Sequence, residues 1–414
     1  GGGAGGCGGE GKILWAPKCI CLVSHWPFFR AFRRWLSQLY TLSLSKADLP
    51  LEKVISHLLL AMPVPEPGGS RMVLKLSDNL NDITFQLPSI QDLPLLDLSF
   101  QELFASLSVS NILNVLALLL SEGKILLISK RASLVTQAAE SLLALLFPLM
   151  WENCYVPRLT EPLLDYLSFP GPFLIGVHDA PIGHGGGGGD SEDLMTQVRR
   201  ILVADSPDAA IVDLDGNSIT TAQGVRPKVD RSLLPRDMQA ALATRWSTLL
   251  RQAGVHQGLR EDIDVDTPFD FAPTPEMETV MPSDCPPLDD RAVREAALCF
   301  FCALLRGYQS CLVAPSMDWK KLGGDWFDAR KYLAGTDASR RRLLRELLET
   351  QMFANFIQRR TESSDPRFAF FDHCLEVYNA SPELFLEPDR TQLLIDSTAV
   401  PSKKSWRRVN PRYS

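Results

Sequence analysis

No apolar run in this 414-residue chain approaches the roughly 18–20 residues that a membrane-crossing helix needs, so no transmembrane segment is expected. Positive charge is not in excess either. The 42 Lys and Arg stand against 49 Asp and Glu, a net charge of −7, and without a whole-domain basic field a nucleic-acid partner is not expected. Histidine is scarce: His25, His57, His178, His184, His256 and His373 fall in no metal-ligand or triad spacing. No metal, cofactor or bond-making active site is therefore anticipated. The nine cysteines are an odd number scattered through apolar runs, which reads as reduced, buried thiols of a cytosolic protein rather than a disulfide frame. The opening GGGAGGCGGEGK lacks the apolar core of a signal peptide.

Several motifs lack the context their chemistry requires. Gly6 to Lys12 matches G-x-x-x-x-G-K, but Ile13 stands where a phosphate loop needs Ser or Thr for magnesium. His184 and the glycines after it resemble an oxyanion-hole motif, yet no G-x-S-x-G elbow occurs in the chain. Cys299 and Cys302 form a lone C-x-x-C inside an apolar helix, which is core packing more often than a metal or redox site. Asp213 and Asp215 are followed at once by Gly216 with no closing glutamate, so turn chemistry is expected rather than calcium.

What the chain does have is apolar patterning, at 45% hydrophobic against 22% charged residues. That is ordinary for a soluble globular protein of two or three domains. The organising stretch runs from Leu116 to His178. An apolar helix ends near Ser121-Glu122-Gly123, with the glycine expected to supply the stop. Lys124–Ser129 (KILLIS) is an almost wholly apolar run suited to a doubly covered parallel strand. Ser133 is placed to cap a helix running to Phe147 and closed by Pro148. Cys154–Pro157 and Phe173–Val177 read as two further buried strands. The whole is a crossover unit, right-handed by default.

Three segments here carry a family resemblance: L-L-S-E-x-K-I-L-L-I-S, F-P-L-M-W-E-N-C-Y-V-P, and the sixteen positions L-L-D-Y-L-S-F-P-G-P-F-L-I-G-V-H from Leu163 to His178. They resemble the central part of a DENN module, the tripartite domain whose members act on Rab GTPases. Upstream, S-H-W-P-F-F-x-x-F-x-x-x-L-x-x-L-Y looks like the end of the family's longin-like lobe. The earlier strands and first helix of that lobe have no counterpart ahead of Trp15, so an incomplete lobe, exchanging poorly by itself, is expected. Downstream, F-F-C-A-L-L-R-G-Y, L-L-E-T-Q-M-F-A-N-F-I-Q-R-R and F-F-D-H-C-L are similar to the family's helical segment. The likeness covers about Trp15 to Tyr378.

The expected fold class is thus α/β: an incomplete longin-like lobe, then a core sheet flanked by helices, then an all-helical block. The expected divisions are a disordered glycine tract at 1–11, the upstream segment and linker at 12–69, the core at 70–253, an acidic linker at 254–287, the helical block at 288–380 and a tail at 381–414. Element by element, Lys18–Val23 reads as a strand and Phe28–Tyr40 as an amphipathic helix with Phe29, Phe32, Leu36 and Leu39 on its apolar face. A helix follows from Leu51 to Met62, and two strands lie between Val73 and Leu87. Further helices are expected at 100–107, 111–121 and 194–203, a strand–turn–strand at 209–221, and a helix at 238–252. Beyond the linker, helices are expected at 290–308, 339–360 and 368–378, with the tail's Lys403, Lys404, Arg407, Arg408 and Arg412 as a solvated basic end.

The resemblance implies a guanine-nucleotide exchange factor for a Rab-family small GTPase. It would be cytoplasmic, with peripheral recruitment to vesicle or endosomal membranes through partners. A DENN scaffold that binds GTPases or trafficking proteins without exchange is the alternative. In the family the GTPase docks between the two lobes. The expected contacts are Leu163, Leu164, Asp165 and Tyr166 at the exit of a strand, where α/β sheets usually bind ligands, and then Arg30, Arg33 and Arg34. His178, following a core strand, reads as structural.

Overall fold

The computed structural model describes residues 20–44, 50–76, 80–179, 193–225, 233–256, 286–313, 326–362, 365–380 and 382. The amino-terminal glycine tract, the Gly183–Gly189 run, most of the acidic linker and the basic tail lie outside the described residues. The chain divides into two compact units, one of residues 1–65 with 71–85, the other of 66–70 with 86–414.

In the first unit, helix α1 (Phe29–Leu44) and helix α2 (Leu51–Ser56), the latter continued by one wider turn at His57–Ala61, accompany a hairpin of β1 (Met72–Leu74) and β2 (Ile83–Phe85). The strands pair antiparallel, Val73 opposite Thr84. Phe28 meets Phe85 edge-on at 5.3 Å between ring centres, and that contact sets the rotation of α1. Its buried positions are Ala31, Trp35, Gln38 and Leu39, a stripe rotated away from the expected Phe29, Phe32 and Leu36. The amide of Gln38 donates to the Asn81 carbonyl at 2.6 Å and Arg34 to the Asp82 carbonyl at 3.3 Å, so the helix holds the hairpin loop. The expected strand at Lys18–Val23 is a correction over its described part: Ile20 to Val23 belong to no strand, with Val23 95% exposed, while Lys18 and Cys19 lie outside the described residues. Apolar propensity makes a strand only where a partner ladder exists.

The second unit is built on a five-stranded sheet. It contains β3 (Lys124–Ser129), β4 (Cys154–Leu159), β5 (Phe173–His178), β6 (Ala210–Asp213) and β7 (Ser218–Thr221) in the order β4-β5-β3-β6-β7. The first four are parallel and β7 runs antiparallel to β6. Because strand side chains alternate, Ile125 and Leu127 join the larger core on one face, while Leu126 and Ile128 join the smaller core on the other. That double cover is why KILLIS reads as an unbroken apolar run. Gly176 in β5 is obligatory, since a Cβ there would lie 2.2 Å from the Pro157 carbonyl oxygen and 2.3 Å from Val135. The register of β4 on β5 shifts between Val156 and Leu159, next to this close approach.

Helices α3 (Gln101–Ser106), α4 (Val109–Leu120), α5 (Ala132–Ala144) and α7 (Arg236–Gln252) contribute to the larger core, and α6 (Leu194–Asp205) to the smaller. The helix starting at Ala132 places Ser133 inside its first turn, and Arg131 stands at the cap position without capping the helix, its guanidinium instead donating to Glu102 at 2.9 Å. Helix α8 (Asp290–Leu304) was expected to show one apolar face. Instead ten successive residues, Glu295 to Leu304, are all buried, because α8 runs through the middle of the core. Trp246 of α7 donates to the Val293 carbonyl at 3.1 Å. Around α8 lie α9 (Ala329–Ala334), α10 (Ala338–Leu348), α11 (Gln351–Glu362) and α12 (Pro366–Ala380). The single helix expected at 339–360 is therefore two. Thr350 ends the first and caps the second, its hydroxyl accepting from the Phe353 amide at 3.2 Å.

The end of α4 also departs from expectation. Gly123 does not take the left-handed position; Glu122 does, with φ 49°. The Gly123 amide bonds the Leu118 carbonyl at 2.8 Å and the Glu122 amide the Leu119 carbonyl at 3.1 Å, a paired C-terminal cap that usually demands glycine. The carboxylate of Glu122 accepts from the Gln351 and Met352 amides at 3.0 and 2.8 Å. Together with Thr350 it satisfies three of the four amides that a helix start leaves open. A residue in a strained backbone conformation thus joins the sheet segment to the downstream helices.

Candidate functional site

The parallel strands end on a common edge, where side chains from separate loops converge. Leaving β4, the chain turns through a 3-10 segment, Glu161–Ser168, started by Pro162 near its first turn. The tight winding, about three residues per turn, sorts the side chains into rows. Leu164 and Leu167 point inward and are buried in the smaller core against α6, 6% and 0% exposed. Burying two leucines contributes about 1.5–3 kcal/mol each to anchoring the segment. Polar bonds hold the same join: Ser168 donates to Asp205 at 2.7 Å and Ser206 to the Leu167 carbonyl at 3.3 Å.

The opposite row faces solvent. Tyr166 is 51% and Phe169 41% exposed, and Leu163, at a bend with φ −113° and ψ 16°, is 48% exposed. Phe169 lies over Gly171, where a Cβ would sit 2.7 Å from its ring. Asp165 is exposed beside them. Three large apolar side chains and a carboxylate are thus displayed on a turn that its other face holds rigid.

Of the expected contact residues, Leu163, Asp165 and Tyr166 lie together on this surface, and Leu164 turns inward to support them. Phe169 belongs to the same surface and was not singled out. Its signal was the exposed three-residue spacing from Tyr166, visible only once a 3-10 rather than an α period is assumed. Arg30, Arg33 and Arg34 lie on α1 in the other unit. Arg30 and Arg33 are exposed, and Arg34 is half-buried on the Asp82 carbonyl.

The remaining polar groups at the strand ends hold loops in place. Asp213 accepts from the Asp215 and Gly216 amides at 3.0 and 2.9 Å, and Asp215 accepts from Ser129 and the Lys130 amide at 2.9 and 2.7 Å. His178 bonds the Lys130 carbonyl at 2.9 Å, the structural role expected of it. Burial holds the Asp179 carboxyl above its ordinary range, reinforced by Asp193 and by Asp213 and Asp215 and opposed by Lys130. Among the described residues no three His, Cys, Asp or Glu are grouped to hold a metal ion. Cys299 and Cys302 are buried in α8, 1% and 0% exposed. Burial pushes the Cys299 thiol up to about 12 and Cys302 well above its ordinary value, the opposite of a reactive cysteine. No described helix is long and apolar enough to cross a membrane.

Comparison with known proteins agrees with this architecture. Residues 15–183 match the DENN (AEX-3) domain and residues 327–374 the dDENN domain, together just over half of the chain. One relative, the DENN domain and WD repeat-containing protein SCD1 of Arabidopsis thaliana, is 32% identical over 228 residues, 54% of this chain. The chain spans only 18% of that relative's length. The first match takes in β3, β4 and β5 with the 3-10 turn, and the second takes in α9 to the middle of α12. With both domains present in order, and the relative carrying the same domain in its name, this chain belongs to the DENN-domain family.

Proposed function

We propose that this chain is a guanine-nucleotide exchange factor for a Rab-family small GTPase. The observation that carries the reading is the surface of Leu163, Asp165, Tyr166 and Phe169 on an anchored turn at the sheet edge. Family membership names the class of partner such a surface would serve. The mechanism is linkage and involves no bond chemistry. A small GTPase holds its nucleotide through magnesium and ordered switch loops. A protein that binds the empty form better than the loaded form weakens nucleotide binding by that difference and by no more. A 10⁵-fold acceleration of release corresponds to about 7 kcal/mol of differential stabilisation, and a few buried anchors in an interface of about 1,600 Å² can supply it.

The aromatic side chains suit the anchor role, since Tyr166 and Phe169 offer large areas and lose few rotamers on docking. Leu164 and Leu167 act as positioning residues that keep the turn from collapsing onto the core. Arg30 and Arg33 on α1 form the second contact, with Arg34 holding the hairpin. Release of labelled GDP from a panel of Rab proteins, with binding recorded in parallel, tests the reading. Faster release from at least one Rab is expected. Binding without release would instead establish the scaffold role, and neither binding nor release would remove Rab proteins as partners.

A further inference from the structure

Two successive residues at the end of α6 hold two successive residues of the 3-10 turn. Asp205 accepts from the Ser168 hydroxyl at 2.7 Å, and the Ser206 hydroxyl donates to the Leu167 carbonyl at 3.3 Å. The residues on either side, Tyr166 and Phe169, are the ones displayed, and the Phe169 amide closes the turn on the Tyr166 carbonyl at 3.2 Å. The two holding bonds are unequal. Ser168 and Asp205 are both exposed, so water competes for them and their bond contributes little. Ser206 and Leu167 are each 0% exposed, and a carbonyl left open there would carry its full desolvation penalty.

The sequence makes that carbonyl depend on an outside donor. In a 3-10 turn each carbonyl is taken by the amide three residues on. For Leu167 that residue is Pro170, which has no amide hydrogen. Ser206 supplies the missing donor, and a second contact fixes the direction of its bond. The Lys124 ammonium, which can only donate, lies 3.0 Å from the same hydroxyl oxygen. The hydroxyl therefore accepts from Lys124 and keeps its one proton for Leu167. The Ser206 backbone is occupied as well, its amide on the Leu202 carbonyl at 2.8 Å and its carbonyl on the Ala209 amide at 3.0 Å. Lys124 opens β3, the middle strand of the sheet, so two hydrogen bonds in series run from the sheet to the displayed turn.

We propose that Ser206, oriented by Lys124, is a positioning residue for the Tyr166–Phe169 surface. Being buried, it cannot touch a docked partner. It acts through the Leu167 carbonyl, holding the turn in one shape so that the side chains on either side are ordered before a partner arrives. The inference rests on the reading of this surface as the GTPase contact.

The test compares Ser206→Ala with the wild-type chain in two measurements: hydrogen exchange at the Phe169 amide, which needs no partner, and affinity for a nucleotide-free Rab. Exchange at Phe169 should be about tenfold faster and the affinity about tenfold lower. Ser206→Thr keeps the hydroxyl and should restore both. Lys124→Met removes the orienting donor, keeps the apolar stem, and should move both in the same direction by less. Thr350→Val removes a buried hydroxyl of the helical block; as a control for lost stability alone, it should change neither. Unchanged exchange at Phe169 in Ser206→Ala would overturn the proposal with no Rab in the assay. Faster exchange with unaltered affinity would also overturn it and leave the exchange-factor reading intact. An equal effect of Thr350→Val would reduce Ser206 to general stability and overturn it again. Faster exchange at Phe169 in a chain that binds no Rab even as wild type would support the hold on the turn and remove only the GTPase as its purpose.

Discussion

Glu122 offers a sharp test of how the sheet segment and the downstream helices are joined. Its φ of 49° costs a non-glycine residue about 1–2 kcal/mol, and its carboxylate caps α11 through the Gln351 and Met352 amides at 3.0 and 2.8 Å. Losing a helix cap costs about 1–2 kcal/mol. Glu122→Ala keeps the strained backbone and loses the cap, so it should destabilise by about 1–2 kcal/mol. Glu122→Gly also loses the cap but relieves the strain, and should fall within about 1 kcal/mol of wild type. The assay is equilibrium urea unfolding of the three proteins, with hydrogen exchange read at the Met352 amide. The expected order of stability is wild type, then glycine, then alanine, with faster exchange at Met352 in both variants. A glycine variant less stable than the alanine variant would refute the strain argument. Unchanged exchange at Met352 would refute the cap.

Three further outcomes are expected. The buried Asp372 accepts from Tyr308 at 2.6 Å and pairs with Arg360; Asp372→Asn leaves that guanidinium without its charge partner and should cost about 3–5 kcal/mol in a denaturation experiment. With a thiol reagent under native conditions, Cys21 should label first among the described cysteines and Cys154 slowly, while Cys299, Cys302, Cys311 and Cys374 stay protected until unfolding, as mass spectrometry of the peptides would show. Burial raises the pKa values of Cys299, Cys302, Cys374 and Tyr308 and so suppresses their ionisation. Below a pH of about 9 both folded and unfolded chains hold these protons and the stabilisation is complete. Above it the unfolded chain releases them and the folded chain does not, so the urea midpoint should fall as pH rises; a flat alkaline limb would contradict the burial.

Much of the core was legible because doubly covered strands write an uninterrupted apolar run, as Lys124–Ser129 and Phe173–His178 do. The Asp213–Asn217 turn was legible from its own chemistry. Other features depended on distant residues. The rotation of α1 is ambiguous in sequence, since Phe29, Phe32 and Leu36 compete with Ala31, Trp35 and Leu39. The contact of Phe28 with Phe85, far along the chain, decides it. The break at Thr350 and the left-handed Glu122 are each other's explanation, more than two hundred residues apart in sequence. In the candidate site, the motif from Leu163 to His178 announced the place. The inward turn of Leu164 and the outward turn of Phe169 needed the 3-10 winding.

The central claim is a difference in affinity, and it is measured most directly by titrating this chain against one Rab protein in two states, nucleotide-free and GDP-loaded. The account predicts binding to the empty form at least a thousandfold tighter, about 4 kcal/mol. It further predicts that the Leu163→Ala, Tyr166→Ala, Phe169→Ala variant, with its unfolding midpoint unchanged, loses most of that difference. Equal affinity for both states across the Rab panel would contradict it.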